Sequence, residues 1–163
     1  MVNAFRVLTT ALLLCCAAPV LAQGTNVTFG AITQDTSLPV EVTADNLAVD
    51  QSSGTAVFTG NVMIGQGEMR LTAARVLVTY KSQNAGIAKL EATGGVTLVT
   101  GQDAAEAERA DYSIDSGEIE MSGNVLLTQG NSALTAEKMF VNLRNGTARM
   151  SGRVKTILQT GNN

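Results

Sequence analysis

Apolar and polar residues alternate with a period of two along most of the chain. Around Gly60 the positions of equal parity are Ala56, Phe58, Val62 and Ile64. Around Gly94 they are Leu90, Ala92, Val96 and Leu98, and around Gly123 they are Ile119, Met121, Val125 and Leu127. Ala148, Met150 and Val154 flank Gly152 in the same way. The intervening positions are mostly Thr, Ser, Asn, Glu, Arg and Lys. This alternation predicts β-strands with one buried face. Each glycine falls on an inward position, which predicts a bend or a close backbone approach where a side chain would crowd.

A second marker runs with the first. Ala44-Asp45, Ala73-Ala74, Ala107-Glu108 and Ala136-Glu137 stand 16, 21, 16 and 16 residues before the four glycines, and each later alanine marker follows a glycine by 13 residues. Five extra residues near Lys81 to Gly86 in the second unit predict a lengthened loop. The inward parity flips at each alanine. Met69, Leu71 and Ala73 precede one flip, and Val76, Val78 and Tyr80 follow it. Leu47 and Val49 follow Ala44 in the same sense. A one-residue slip would turn a face outward, so a bulge or sharp corner is predicted at each alanine.

Turns are predicted at Asp50 to Thr55, Ile114 to Glu118 and Leu143 to Thr147, and around Gly65-Gln66-Gly67, Gly101-Gln102 and Gly130-Asn131. The predicted fold is all-β. Four repeats of about 29 residues stack as short antiparallel units, open at both ends. One end strand begins at Leu38 to Val42, and the other lies at Arg153 to Leu158. Pro39, Arg153 and Lys155 offer the only visible blocking of these edges.

Composition narrows the function. The 163 residues are 45% hydrophobic but only 4% aromatic, with no histidine and no tryptophan. A net charge of −3, with no basic cluster, argues against nucleic acid as a partner. Arg6 followed by an apolar run ending in Val20-Leu21-Ala22 reads as a signal peptide, residues 1–22, too short for a comfortable span. Both cysteines, Cys15 and Cys16, lie inside it. The chain after cleavage has no thiol and a side-chain charge of −4, one less than the −3 of the full sequence because Arg6 is lost.

Catalytic chemistry finds little purchase. Without histidine or a remaining cysteine, zinc sites, iron–sulfur sites and histidine-based triads have no ligands or bases. Asp45, Glu108 and Glu137 recur at one repeat position, but Ala74 replaces the carboxylate in the second unit. They read better as hydrogen-bond acceptors at a corner, or as solvated groups, than as a metal ladder. Asn61 and Asn124 read as turn or edge residues. The chain is therefore predicted not to be an enzyme, with no metal and no cofactor. The inward face, rich in Ala, Gly, Val and Met, suits either a packed core or a groove that adapts to acyl chains.

"LPVEVTADNLAVDQSSGTAVFTGNVMIGQGEMRLTAARVLVTY", Leu38 to Tyr80, resembles the OstA-like domain of the LptA family of periplasmic lipopolysaccharide transport proteins. The match rests on the order Ala-Asp, Thr-Gly-Asn-Val, Gln-Gly and Ala-x-Arg-Val-x-Val. It continues through "AERADYSIDSGEIEMSGNVLLTQGNSALTAEKMFVNL" and covers about Leu38 to Leu158. The resemblance implies a β-jellyroll at residues 38–158 whose interior holds lipid A acyl chains. It implies a periplasmic carrier that bridges the inner and outer membranes. Head-to-tail self-association and LptC-like and LptD-like partners belong to the same picture.

On this basis the lining is expected at Phe58, Val62, Ile64, Leu71, Val78, Met121, Val125, Leu127, Leu134, Val141 and Met150. Partner edge strands are expected at Val40, Val42, Val154 and Ile157. Residues 23–37 have no assignment and 159–163 form a short tail. Two alternatives stand beside this reading. One is an LptC-like component anchored by an uncleaved N-terminus, and the other is a self-polymerising β-repeat protein that carries no lipid. N-terminal sequencing of the exported protein is expected to begin at Gln23; retention of residues 1–22 would favour the anchored form.

Overall fold

In the computed structural model, the structure describes residues 25–28, 35–82 and 86–157. Eleven strands form one antiparallel sheet that does not close on itself. The strands are β1 (Thr25–Thr28), β2 (Glu41–Thr43), β3 (Asn46–Asp50), β4 (Thr55–Gln66), β5 (Met69–Tyr80) and β6 (Ile87–Thr100). They continue as β7 (Asp103–Ser113), β8 (Glu118–Gln129), β9 (Ser132–Asn142), β10 (Thr147–Ser151) and β11 (Lys155–Ile157). From β4 to β10 each strand pairs with the next in sequence, so the body is a meander.

Every long strand has a corner near its middle. In β4, Gly60 and Asn61 together oppose the single residue Ala74 of β5, between the pairs Thr59–Arg75 and Val62–Ala73. Gly94-Gly95 oppose Glu108, and Gly123-Asn124 oppose Glu137, with the same two-to-one count. Both residues of each pair have positive φ: 79° and 45° at Gly60-Asn61, 86° and 83° at Gly94-Gly95, and 84° and 48° at Gly123-Asn124. Gly152-Arg153, between β10 and β11, repeats the conformation at 79° and 43°. Two left-handed residues in succession end regular pairing and redirect the strand.

The corner gives the sheet two walls. In β5, Met69, Leu71 and Ala73 are buried before the corner and Val76 and Val78 after it, with Ala74 and Arg75 both exposed between them. The parity flip predicted at the alanines is therefore present, and both halves of the strand bury their apolar side. One wall holds β3, β10, β1 and the strand halves that carry Ala56, Val78, Tyr112 and Met121. The other holds β2, β11 and the halves that carry Ile64, Leu71, Leu98 and Leu127. Their inner faces form one apolar cluster.

Three expectations change. The corner glycines do not point into the core. A Cβ on Gly60 would meet the Asp45 carboxylate oxygen at 2.5 Å, and one on Gly123 would meet Glu108 Oε2 at 2.6 Å. Positive φ swings that direction onto the outer side of the neighbouring corner, where Asp45 and Glu108 are exposed. Second, the segment left unassigned contains β1, which pairs with β10 in the register Thr25–Met150 to Thr28–Thr147. The C-terminal edge is thus β1 in one wall and β11 in the other. Third, Gln66 is not a turn residue but the buried last residue of β4. The lengthened loop at Lys81 to Gly86 is closed by a hydrogen bond from Lys81 N to Gly86 O at 2.9 Å; residues 83–85 lie outside the described residues.

The outer faces are polar. Glu91, Asp111 and Glu120 are successive partners in one row across β6, β7 and β8. Arg109 bonds Glu91 and Asp111, Lys89 pairs with Asp111 at 2.8 Å, and Lys138 pairs with Glu120 at 2.7 Å. The Arg109 hydrogen bond, with help from Lys89, holds the Asp111 carboxyl down at about 2. These cations offset the repulsion that like charges in neighbouring strands would otherwise feel.

Gly95→Ala, where an added Cβ meets nothing within 4 Å, is expected to cost roughly 1–2 kcal/mol, the ordinary penalty of a left-handed L-residue. Gly123→Ala adds a collision with Glu108 and is expected to cost roughly 2–4 kcal/mol. Urea denaturation of the two variants checks the order.

Candidate functional site

The candidate site is the space between the two walls. Val62, Ile64, Leu71, Val78, Met121, Val125, Leu127, Leu134, Val141 and Met150 all lie in the one buried cluster. Phe58 differs: it is half-buried and packs against the cluster from the β3 end, because β3 is the last strand of its wall. Met69, Leu90, Leu98, Tyr112, Ile119 and Met139 are fully buried as well. They share the period-two pattern that located the others. Leu127 and Met121 have no exposed surface, so the walls touch along their inner faces. Any guest that enters such an interior must part them.

The two ends are unlike. At the low-numbered end, Leu47 and Val49 of β3 lie opposite Phe58 and Ala56, on the inward side. They are 56% and 62% exposed, against the expectation of burial. Inward parity buries a side chain only when a further strand covers it, and β3 has none beyond it. Val42 lies opposite Ile64 in β2 and Val40 precedes that strand; both pack against the cluster. At the other end Val154 sits between β10 and β11 rather than in a strand, and also packs on the cluster. Ile157 is in β11, paired with Ala133, and is 56% exposed.

The repeated carboxylates hold the corners. Asn61 Nδ2 donates to Asp45 at 2.8 Å, Asn124 Nδ2 donates to Glu108 at 2.6 Å, and Arg153 Nε donates to Glu137 at 2.8 Å. Each donor is the second left-handed residue of its corner. Where Ala74 replaces the carboxylate, that second residue is Gly95, which reaches positive φ without a partner. Main-chain bonds from Asp45 N to Gly60 O at 2.9 Å and from Glu137 N to Gly152 O at 3.0 Å complete two of the corners. These carboxylates thus serve the fold, with side-chain amides and a guanidinium as their donors.

Among the described residues two buried side chains are polar, Gln66 and Thr100. Gln66 Nε2 donates to the main-chain carbonyls of Thr36 and Leu38 at 3.0 and 2.9 Å. Its Oε1 accepts the hydroxyl of Tyr112 at 2.5 Å, from the opposite wall. This bond crosses the interior near its rim. Burial pushes the Tyr112 phenol up to about 12, so it stays a donor through the physiological range. The burial of Gln66 was missed because Gly65-Gln66-Gly67 looks like a turn. The usable signal was register: Gln66, Thr100 and Gln129 each stand six residues after a corner glycine.

The described strands form an open antiparallel β-jellyroll with a continuous apolar interior. Residues 41–147 match the family model for the LptA/(LptD N-terminal domain) LPS transport protein, and the chain belongs to that family. It is 31% identical over 99 residues to an uncharacterised protein of Rhizobium meliloti, across 56% of this chain and 53% of that protein. It is 37% identical over 49 residues to the lipopolysaccharide export system protein LptA of Escherichia coli K12, across 30% of this chain and 26% of that protein. The matched stretches thus span about half or less of these relatives. In fold it matches LptH, the LptA-homologous periplasmic component of the lipopolysaccharide transport device of Pseudomonas aeruginosa. The TM-score is 0.69 at 17% identity, over 77% of this chain and 99% of that one.

The Tyr112 phenol ionises near 10 when unfolded and near 12 when folded. Its raised folded value means that the associated stability is complete below pH 10 and is lost as pH rises through about 12. Denaturant midpoints followed across this range should fall in the parent chain. Tyr112→Phe should abolish that part of the fall, while lowering stability at neutral pH by about 1–3 kcal/mol because Gln66 Oε1 loses its buried donor.

Proposed function

We propose that this chain is a periplasmic carrier that holds the acyl chains of lipopolysaccharide between its two walls. It is neither an enzyme nor a purely structural polymer in this reading. One observation carries it. An inward apolar row runs unbroken from β4 to β10 and is left uncovered at the β3 end, where Leu47 and Val49 are exposed. A core built only for stability has no reason to continue beyond its last covering strand. Burying acyl methylenes yields about 0.8 kcal/mol each, enough for several chains to offset the parting of the walls.

Family membership supports transport as the role, and the likeness to the lipopolysaccharide export protein LptA of E. coli supports lipopolysaccharide as the cargo. The uncovered β2 and β3 edge at one end and the β11 edge at the other suit strand addition between copies, or to LptC-like and LptD-like partners. Cleavage after Ala22 and a domain over 38–158, extended by β1, belong to the same reading.

Photo-crosslinking in cells tests it. A probe at Leu127, buried and inward, is expected to give a lipopolysaccharide adduct, and one at Thr128, exposed and outward, is not. A second inward probe at Phe58, half-buried at the open end, guards against disruption of the core. Protein adducts alone at both inward sites in the folded chain would favour the polymer that carries no lipid.

A further inference from the structure

The interior has a polar rim. Ile64, Leu98 and Leu127 form an apolar row in one wall, and two residues further along the same strands stand Gln66, Thr100 and Gln129. That step is about 7 Å along an extended chain. Gln66 and Thr100 are each 2% exposed, and Gln129 is half-buried with its amide on Asp103 at 2.9 Å. The fully buried Met69 stands opposite Gln66, and the half-buried Asp103 carboxylate stands opposite both Thr100 and Gln129. Among the described residues the two buried polar side chains are an amide and a hydroxyl, and no cation is buried to receive a phosphate.

Two features of the row point to a ligand. The Thr100 hydroxyl is buried with no hydrogen-bond partner, the one such side-chain atom among the described residues. Buried polar atoms are ordinarily paired, and one left over calls for an explanation. Gln66, in contrast, is fully used, and its two donors hold two carbonyl oxygens, those of Thr36 and Leu38. The same short segment reaches the other rim, where Arg144 Nε donates to Thr36 Oγ1 at 3.4 Å and Arg144 also bonds the Asp115 carbonyl. Main-chain carbonyls thus cross the gap between the rims at the level where acyl chains in the interior would end.

We propose that Gln66 and Thr100 form a neutral hydrogen-bonding subsite for the ester and amide linkages of an acylated amphiphile. The carbonyls of Thr36 and Leu38 stand in the place of such linkages. The inference rests on the carrier reading and deepens it: apolar rows hold the chains, and the rim reads how they are joined to the head. A carbonyl or hydroxyl of the ligand satisfies the Thr100 hydroxyl, and displacement of segment 36–38 frees the Gln66 amide for a second linkage.

Equilibrium binding of purified lipopolysaccharide to the full chain and to Thr100→Val and Thr100→Ser tests this, with thermal denaturation of each. Thr100→Val keeps the shape and removes the hydroxyl. It is expected to melt no lower than the parent and to bind about fivefold more weakly, the scale of one neutral hydrogen bond. Thr100→Ser is expected to bind as the parent does. Parent-like affinity in Thr100→Val, equal weakening in both variants, or a lower melting point in Thr100→Val would each overturn the subsite. A parent chain that binds no lipopolysaccharide would overturn the carrier reading itself, and the subsite with it.

Discussion

The corner is the constraint on which the structure depends. A straight strand with period-two patterning has one apolar face and can bury it only against another sheet. Here each long strand supplies both sides of its own sandwich, because a pair of left-handed residues turns it through a corner and the opposing strand shifts parity. The cost falls on the backbone: asparagine or arginine must adopt positive φ at three of the four corners. The facing carboxylate meets that cost with a hydrogen bond, and where it is missing a second glycine avoids the cost. Interior, rims and open ends all follow from stacking these corners in line.

Much of this was legible in the sequence because it is local. Alternation, the glycine at mid-strand and the parity flip at alanine each leave a trace within a dozen residues. What was not legible depends on neighbours far along the chain. Thr25 to Thr28 carries no strong strand signal and is a strand because β10 is there to pair with it. Leu47 and Val49 have the right parity, yet parity cannot say how many strands lie beyond. Gln66 looks like a turn until contacts from Thr36, Leu38 and Tyr112 bury it. The buried positions were easier, since an inward apolar side chain in an interior strand is buried whatever its function.

The same arrangement lets a stable fold coexist with the cargo space proposed above. The inner faces are held mainly by nondirectional apolar contact, which reforms around an inserted chain as readily as around the facing wall. The directional bonds lie elsewhere, in the ladders and at the corners. Few of them cross the gap, and the bond between Tyr112 and Gln66 is one. The walls can therefore exchange one apolar surface for another without breaking the sheet.

The pairing of β1 with β10 has a consequence for the order of events as the chain folds. From β4 to β10 each strand finds its partner in the segment just before it, so pairing can proceed by short loop closures as the polypeptide emerges. Thr25 must wait for Met150. Among the described strands the first is thus among the last to be paired, with only β11 following β10 in the chain, and a newly made molecule keeps β1 unpaired until β10 is in place. Docking of β1 belongs to the closing steps of folding, beside the pairing of β11 with β9.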